Sequence, residues 1–130
     1  MNKPILLAAC IAALVANSAD AGAASYRVAD TFPIGGDGKW DYPSIDTAAQ
    51  RLYLSRGTHV VIVDTQTGHV AGDIADTPGV HGIALAPERN LGFASSSGDN
   101  KVNVFDLADN KLLKKIPAGS QNTALAPSAS

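Results

Sequence analysis

The stretch Gly82-Ile-Ala-Leu-Ala-Pro-Glu-Arg-Asn-Leu-Gly-Phe-Ala-Ser-Ser96, followed by Gly98-Asp-Asn100, Val102-Asn-Val-Phe-Asp106 and Lys111-Leu-Leu-Lys-Lys-Ile116, decides the fold. It divides into four short apolar or alternating runs. Between them lie Pro87-Glu-Arg-Asn90, Gly98-Asp-Asn100 and Asp106-Leu-Ala-Asp-Asn110. Asn, Asp and Gly accept the positive φ of tight hairpins, so these are turn signals, and the segment is predicted to form one four-stranded antiparallel sheet.

The same unit occurs twice. Sliding the chain along itself places Ile45 on Leu85 and Tyr53 on Phe93 at an offset of 40, then Asp64 on Asp106, Gly68 on Asn110 and Ile74 on Ile116 at an offset of 42. The two extra residues fall where Ser55-Arg-Gly-Thr-His59 is replaced by Ser95-Ser-Ser-Gly-Asp-Asn-Lys101, in a hairpin loop, where added length costs little closure entropy. Gly68 and Asn110 belong to the residue types that most readily take left-handed φ, so their match predicts a shared backbone geometry. Four strands repeating every ~40 residues are the mark of a β-propeller blade. The expected fold is therefore all-β, an incomplete propeller of about two and a half blades. Residues 41–74 and 82–116 form blades, 26–34 a lone outer strand, and 120–130 the start of a further blade, in which Thr123-Ala-Leu-Ala-Pro127 repeats Ile83-Ala-Leu-Ala-Pro87.

Three segments carry a resemblance: Val60-Val-Ile-Val-Asp-Thr-Gln-Thr-Gly-His-Val70, Pro78-Gly-Val-His-Gly-Ile-Ala-Leu-Ala-Pro87 and Lys101-Val-Asn-Val-Phe-Asp106. They resemble the repeats of the YVTN-type bacterial β-propellers, the YncE-like extracytoplasmic proteins, from about Tyr26 to Gly119. The resemblance implies a closed propeller of about seven blades in full members, so this chain corresponds to an N-terminal portion. The family motif is structural and implies no catalytic residues.

At the N-terminus, Lys3 precedes the apolar run Pro4 to Ala16, which is short of the ~20 residues of a membrane span. The pattern is that of a secretory leader over 1–23, with small-x-small cleavage sites at Ala19-Asp-Ala21 and Ala21-Gly-Ala23. A periplasmic or secreted protein is expected, with no membrane span after leader removal. Cys10, the single cysteine, ends Leu7-Ala-Ala-Cys10, which resembles a lipoprotein cleavage box. Cleavage there would strand the apolar Ile11 to Ala16 on the mature chain, so Cys10 reads as leader, and the mature protein has neither disulfide nor thiol chemistry. The net charge of −2 and the lack of a basic run argue against nucleic acid, since displacing counterions needs clustered Lys and Arg.

The linkers between units, 35–41, 75–81 and 117–122, are expected to share one face, where each crossover reaches the mouth of the central channel. Trp40, Asp41 and His81 are the candidate ligand-binding residues, with Asp41 and His81 equivalent at the offset of 40. They line a polar channel mouth and hold a ligand or metal, or else they hydrogen-bond neighbouring blades while Trp40 covers core. His59, in a hairpin loop, and His69, at the start of an outer strand, read as surface residues. Asp64 and Asp106 precede turns and are expected to accept backbone N–H bonds there. Tyr53 and Phe93 read as packing between blades. No HExxH, CxxC, GxSxG or phosphate-loop motif is present, so no catalytic or metal residue and no cofactor is assigned.

Three function classes follow. The first is a non-catalytic binding or interaction scaffold for a protein, peptide or cell-surface component. The second is a lactonase-like or quinone-linked dehydrogenase-like propeller enzyme with an axial site. The third is a truncated fragment without a role of its own. Each end blade is further expected to expose an apolar face, which invites self-association. For export, the leader predicts a mature chain starting between Gly22 and Ser25, which intact mass of exported material checks; a start at Met1 or a lipidated Cys10 would contradict it.

Overall fold

The computed structural model describes residues 25–119, so the leader over 1–23 and the further blade over 120–130 lie outside the described residues. The chain divides by contacts between Thr31 and Phe32. Residues 25–31 carry no helix or strand, and the unit that begins at Phe32 holds every strand of the described residues.

Eight strands occur in order: β1 Pro43–Asp46, β2 Arg51–Ser55, β3 Val60–Asp64, β4 Val70–Ile74, β5 Val80–Ala86, β6 Leu91–Ser96, β7 Lys101–Asp106 and β8 Leu112–Pro117. They form two four-stranded sheets, β1-β2-β3-β4 and β5-β6-β7-β8, every neighbouring pair antiparallel. The offset read from the sequence holds in the turns. Gln50 and Asn90, 40 apart, have φ of 56° each, and Gly68 and Asn110, 42 apart, have φ of 72° and 61°. Asp64 Oδ1 accepts from the backbone N–H of Gln66 and Thr67, and Asp106 Oδ1 from Ala108 and Asp109, so the expected turn carboxylates are in place. A second equivalence is not evident from the sequence. Ser55 Oγ accepts from Tyr42 N–H at 2.7 Å and Ser95 Oγ from Gly82 N–H at 3.0 Å, one bond repeated in each sheet.

The core lies between the sheets. Tyr53, Val60, Ile62 and Ile74 of the first blade meet Val80, Ile83, Ala94 and Phe105 of the second, all nearly inaccessible to water. The Tyr53 and Phe105 rings stand 6.0 Å apart at 34°, inside the favourable range for tilted aromatic pairs. Phe105 is the direct ladder partner of Gly92 and lies across it, so a Cβ at residue 92 would collide with the ring. The equivalent pair in the first blade is Leu52 with Val63. The bulk has moved from one strand to the other, Leu to Gly and Val to Phe.

Phe93 corresponds to Tyr53, yet only Tyr53 is in the core; Phe93 is half-buried on the far side of the second blade with Val102 and Ile116. This is geometric: equivalent residues point the same way from their sheets, so Tyr53 meets the second blade while Phe93 lies on a face that no described blade covers.

The expected outer strand over 26–34 is corrected: no strand forms there. A strand is held by a ladder, and none of the ladders includes these residues. From Phe32 the chain instead acts as a strap on the far face of the first blade. Ile34 packs on the cluster of Leu54, Val61 and Val63, and the Phe32 ring sits where a side chain at Gly68 would be. Of the two end faces expected to be open, that of the first blade is thus covered.

Replacing Phe105 with Ala removes the aromatic pair and bares Gly92, and is expected to cost about 3–5 kcal/mol in denaturant unfolding; a loss under ~1 kcal/mol would show the core to be elsewhere. At acid pH, the N–H bonds from Thr67 and Gln66 hold the Asp64 carboxyl below its usual 3.8, with Arg51 adding to them. The unfolded chain then takes up the proton first. The contribution of Asp64 is full above 3.8 and is lost as the pH falls through the lower folded value, so Asp64→Ala should flatten the acid limb of a melting curve.

Candidate functional site

The linkers and the β2–β3 and β6–β7 hairpins form one continuous rim, held by backbone bonds. Thr77 N–H donates to Thr58 O at 3.1 Å, Val80 N–H to Gly57 O at 3.1 Å, Gly98 N–H to Pro78 O at 3.0 Å and Ala118 N–H to Asn100 O at 2.9 Å. Close approach explains one glycine here. Gly38, at φ 103°, lies so near Arg56 that a Cβ would sit 2.5 Å from the Arg56 carbonyl oxygen.

The rim brings the three candidate residues together with one more. His81 Nδ1 hydrogen-bonds Asp41 Oδ2 across the two blades, both side chains being about half-exposed. A carboxylate only accepts, so Nδ1 carries the proton of this bond. Trp40 is 51% exposed, so it does not cover core; its ring lies 3.8 Å from the guanidinium carbon of Arg56.

Arg56 is the residue that sequence reasoning missed. It is 2% exposed, and its NH1 and NH2 groups donate to the carbonyls of Gly35 at 2.9 Å, Gly36 at 2.5 Å and Asp37 at 2.8 Å. Its Nε has no partner. Arginine is rarely buried, and nothing in Ser-Arg-Gly-Thr-His distinguishes it from a solvent-facing loop residue. The only available signal was Trp40 and a run of glycines ahead of an unpaired cation.

Elsewhere on the rim, His59 lies 3.6 Å from Asp73 and not with His81, and an open groove of about 490 Å³ is lined by Thr58, His59, Asp73, Ala75, Asp76 and Pro78. Lys115 joins linker to hairpin, 2.9 Å from Asp76 and 3.1 Å from Asp99. Among the described residues no three His, Cys, Asp or Glu side chains are grouped as for a metal ion, and no helix is long and apolar enough to cross a membrane. His69 is exposed, as expected.

Two curated relatives match the repeats. The uncharacterized protein YncE of Salmonella typhimurium and that of Salmonella typhi are each 30% identical over 88 residues, covering 66% of this chain. This is a YncE-like β-propeller chain. It spans 25% of the length of these YncE relatives, so the match concerns a part of them. No family model matches the chain. Solved structures agree on the fold. The hydrazine synthase of Kuenenia stuttgartiensis superposes with a TM-score of 0.64 at 19% identity, covering 77% of this chain and 29% of that one. Apo AztD from Citrobacter koseri gives 0.58 at 16%, covering 67% and 26%. The β-propeller domain of Cps50 (Swd1) from Myceliophteria thermophila gives 0.56 at 18%, covering 65% and 27%.

The Lys115 clamp yields an alkaline prediction for these YncE-like repeats. Hydrogen bonding to Asp76 raises the ammonium pKa above 10.5, with Asp99 adding to it against desolvation. Its contribution is full below 10.5 and is lost as the pH rises through the folded value, so Lys115→Met should weaken the alkaline decline in melting temperature.

Proposed function

We propose that the chain is an extracytoplasmic binding module that takes a protein, peptide or cell-surface component on its linker rim and performs no chemistry on it. The observation that carries this reading is the rim itself. Trp40 and Asp41, on a linker fixed by backbone bonds and by buried Arg56, and His81, at the start of β5, are partly exposed there. An amphipathic aromatic beside a polar pair on a rigid loop face suits recognition of a polar partner. The leader pattern supports export. The repeated features, among them the turn carboxylates and the paired serines, serve the backbone of each blade and leave the irregular linker positions for recognition.

One observation favours a second reading. A histidine hydrogen-bonded through Nδ1 to a carboxylate is the arrangement found in general bases and behind metal ligands. An axial-site enzyme would therefore be built around Asp41 and His81.

The experiment replaces Asp41 and His81 together with Ala in a full-length YncE-like protein and measures bound species and melting temperature. Under the binding reading, retention of the partner or of any bound metal is lost while the melting temperature changes little. Loss of stability with binding intact would make the pair a packing contact and overturn the proposal. Turnover of a lactone or of a quinone-linked substrate, abolished by His81→Ala, would establish the enzyme instead.

A further inference from the structure

Asp37-Gly38 is the one Asp-Gly or Asn-Gly pair in the sequence, and it lies where the strap meets Arg56. Both residues are exposed and form a bend, with Gly38 at φ 103°. Among the described residues nothing bonds the Asp37 carboxyl, and nothing accepts from the Gly38 N–H. The carbonyl between them does have a partner. Asp37 O accepts from an NH2 of Arg56 at 2.8 Å, and the other acceptors of this buried guanidinium are the carbonyls of Gly35 and Gly36. A cation held by neutral dipoles alone lacks a counter-charge.

The geometry points to Asp37 as a site of covalent modification, isomerisation to an isoaspartyl residue, which Arg56 promotes and whose product Arg56 holds. In the first step the Gly38 nitrogen bonds to Cγ of the protonated Asp37 carboxyl, the N–H proton and the carboxyl OH leave together as water, and a succinimide ring closes. Gly38 has no side chain to crowd this approach. The amide nitrogen attacks well only as its proton leaves, and the resulting charge spreads onto the Asp37 carbonyl oxygen, to which Arg56 already donates. A preorganised cationic donor at the atom where charge develops lowers the barrier.

In the second step water adds to the carbon of that same carbonyl, its bond to the Gly38 nitrogen breaks, and the nitrogen takes back a proton. The water lost in the first step is regained, so the mass is unchanged. The main chain now runs through Cβ and Cγ, longer by one carbon, and the former carbonyl is a free carboxylate. It forms against Arg56 and so supplies the counter-charge that the buried guanidinium lacks. The altered linker is the one that carries Trp40 and Asp41.

The test incubates the whole chain at neutral pH and physiological temperature, counts isoaspartyl residues by enzymatic methylation and locates them by peptide mapping. Native protein is compared with the same chain unfolded in urea, where Arg56 no longer meets Asp37. Isomerisation at Asp37 should be at least about tenfold faster in the native protein, the effect of a charged donor at a developing oxyanion. Folded Arg56→Met should fall to the urea rate. An Asp-Gly pair that reacts through flexibility alone gives the reverse order. A urea rate that matches or exceeds the native one overturns the proposal, as does an Arg56→Met chain that isomerises as fast as the parent. The comparison in urea needs no variant and decides the matter if Arg56→Met does not fold. The isoaspartyl form, purified by ion exchange, should melt no lower than the unmodified chain; a lower melting temperature would show that its carboxylate is not held by Arg56, and overturns that part of the proposal.

Discussion

Eight apolar side chains, four from each sheet, meet between the two blades and exclude water almost completely. Everything else depends on this contact. Each four-stranded sheet has an apolar face that it must bury against another element. Burial of each large aliphatic or Phe side chain contributes about 1.5–3 kcal/mol, and here the cluster draws equally on both sheets, so neither blade owns its core. The bonds that hold the rim, from Thr77 to Thr58 and from Val80 to Gly57, have a geometry only because the blades are already pressed together at this distance.

Strand order and turn positions were legible because each rests on local chemistry. Gly68, Asn90 and Asn110 mark left-handed turn residues, and alternation in Val102 to Phe105 marks a strand with two occupied faces. The offset of 42 locates the paired turns of Asp64 and Asp106 from the sequence alone. Tyr26 to Ile34 departs from expectation for the opposite reason. Its alternation is that of a strand, but a strand needs a partner, and the partner is a matter of assembly. With an apolar face available on the first blade, Ile34 takes that face instead.

The site was legible in part. Repeat position alone singled out Asp41 and His81, and the two residues do meet across the blades. Trp40 was identified, although its companion was not. Arg56 sits one residue beyond a strand, at the position held by Ser96 in the other blade, so comparing repeats offers a small polar residue and no hint of a buried cation. What buries it is a strap some twenty residues earlier, and contacts of that range leave no periodic trace.

The exchange of bulk between Leu52 with Val63 and Gly92 with Phe105 has a consequence for how such repeats diverge. The two positions face each other across a ladder and share one volume. A change at either has meaning only with the state of its partner, and intermediate combinations leave a void or a collision. Duplicated blades therefore drift in coupled steps. An averaged repeat, drawn residue by residue from both copies, could place Leu opposite Phe and fail to pack, although every residue in it is native somewhere in the chain. Blades of this kind are interchangeable as whole units and not as columns of an alignment.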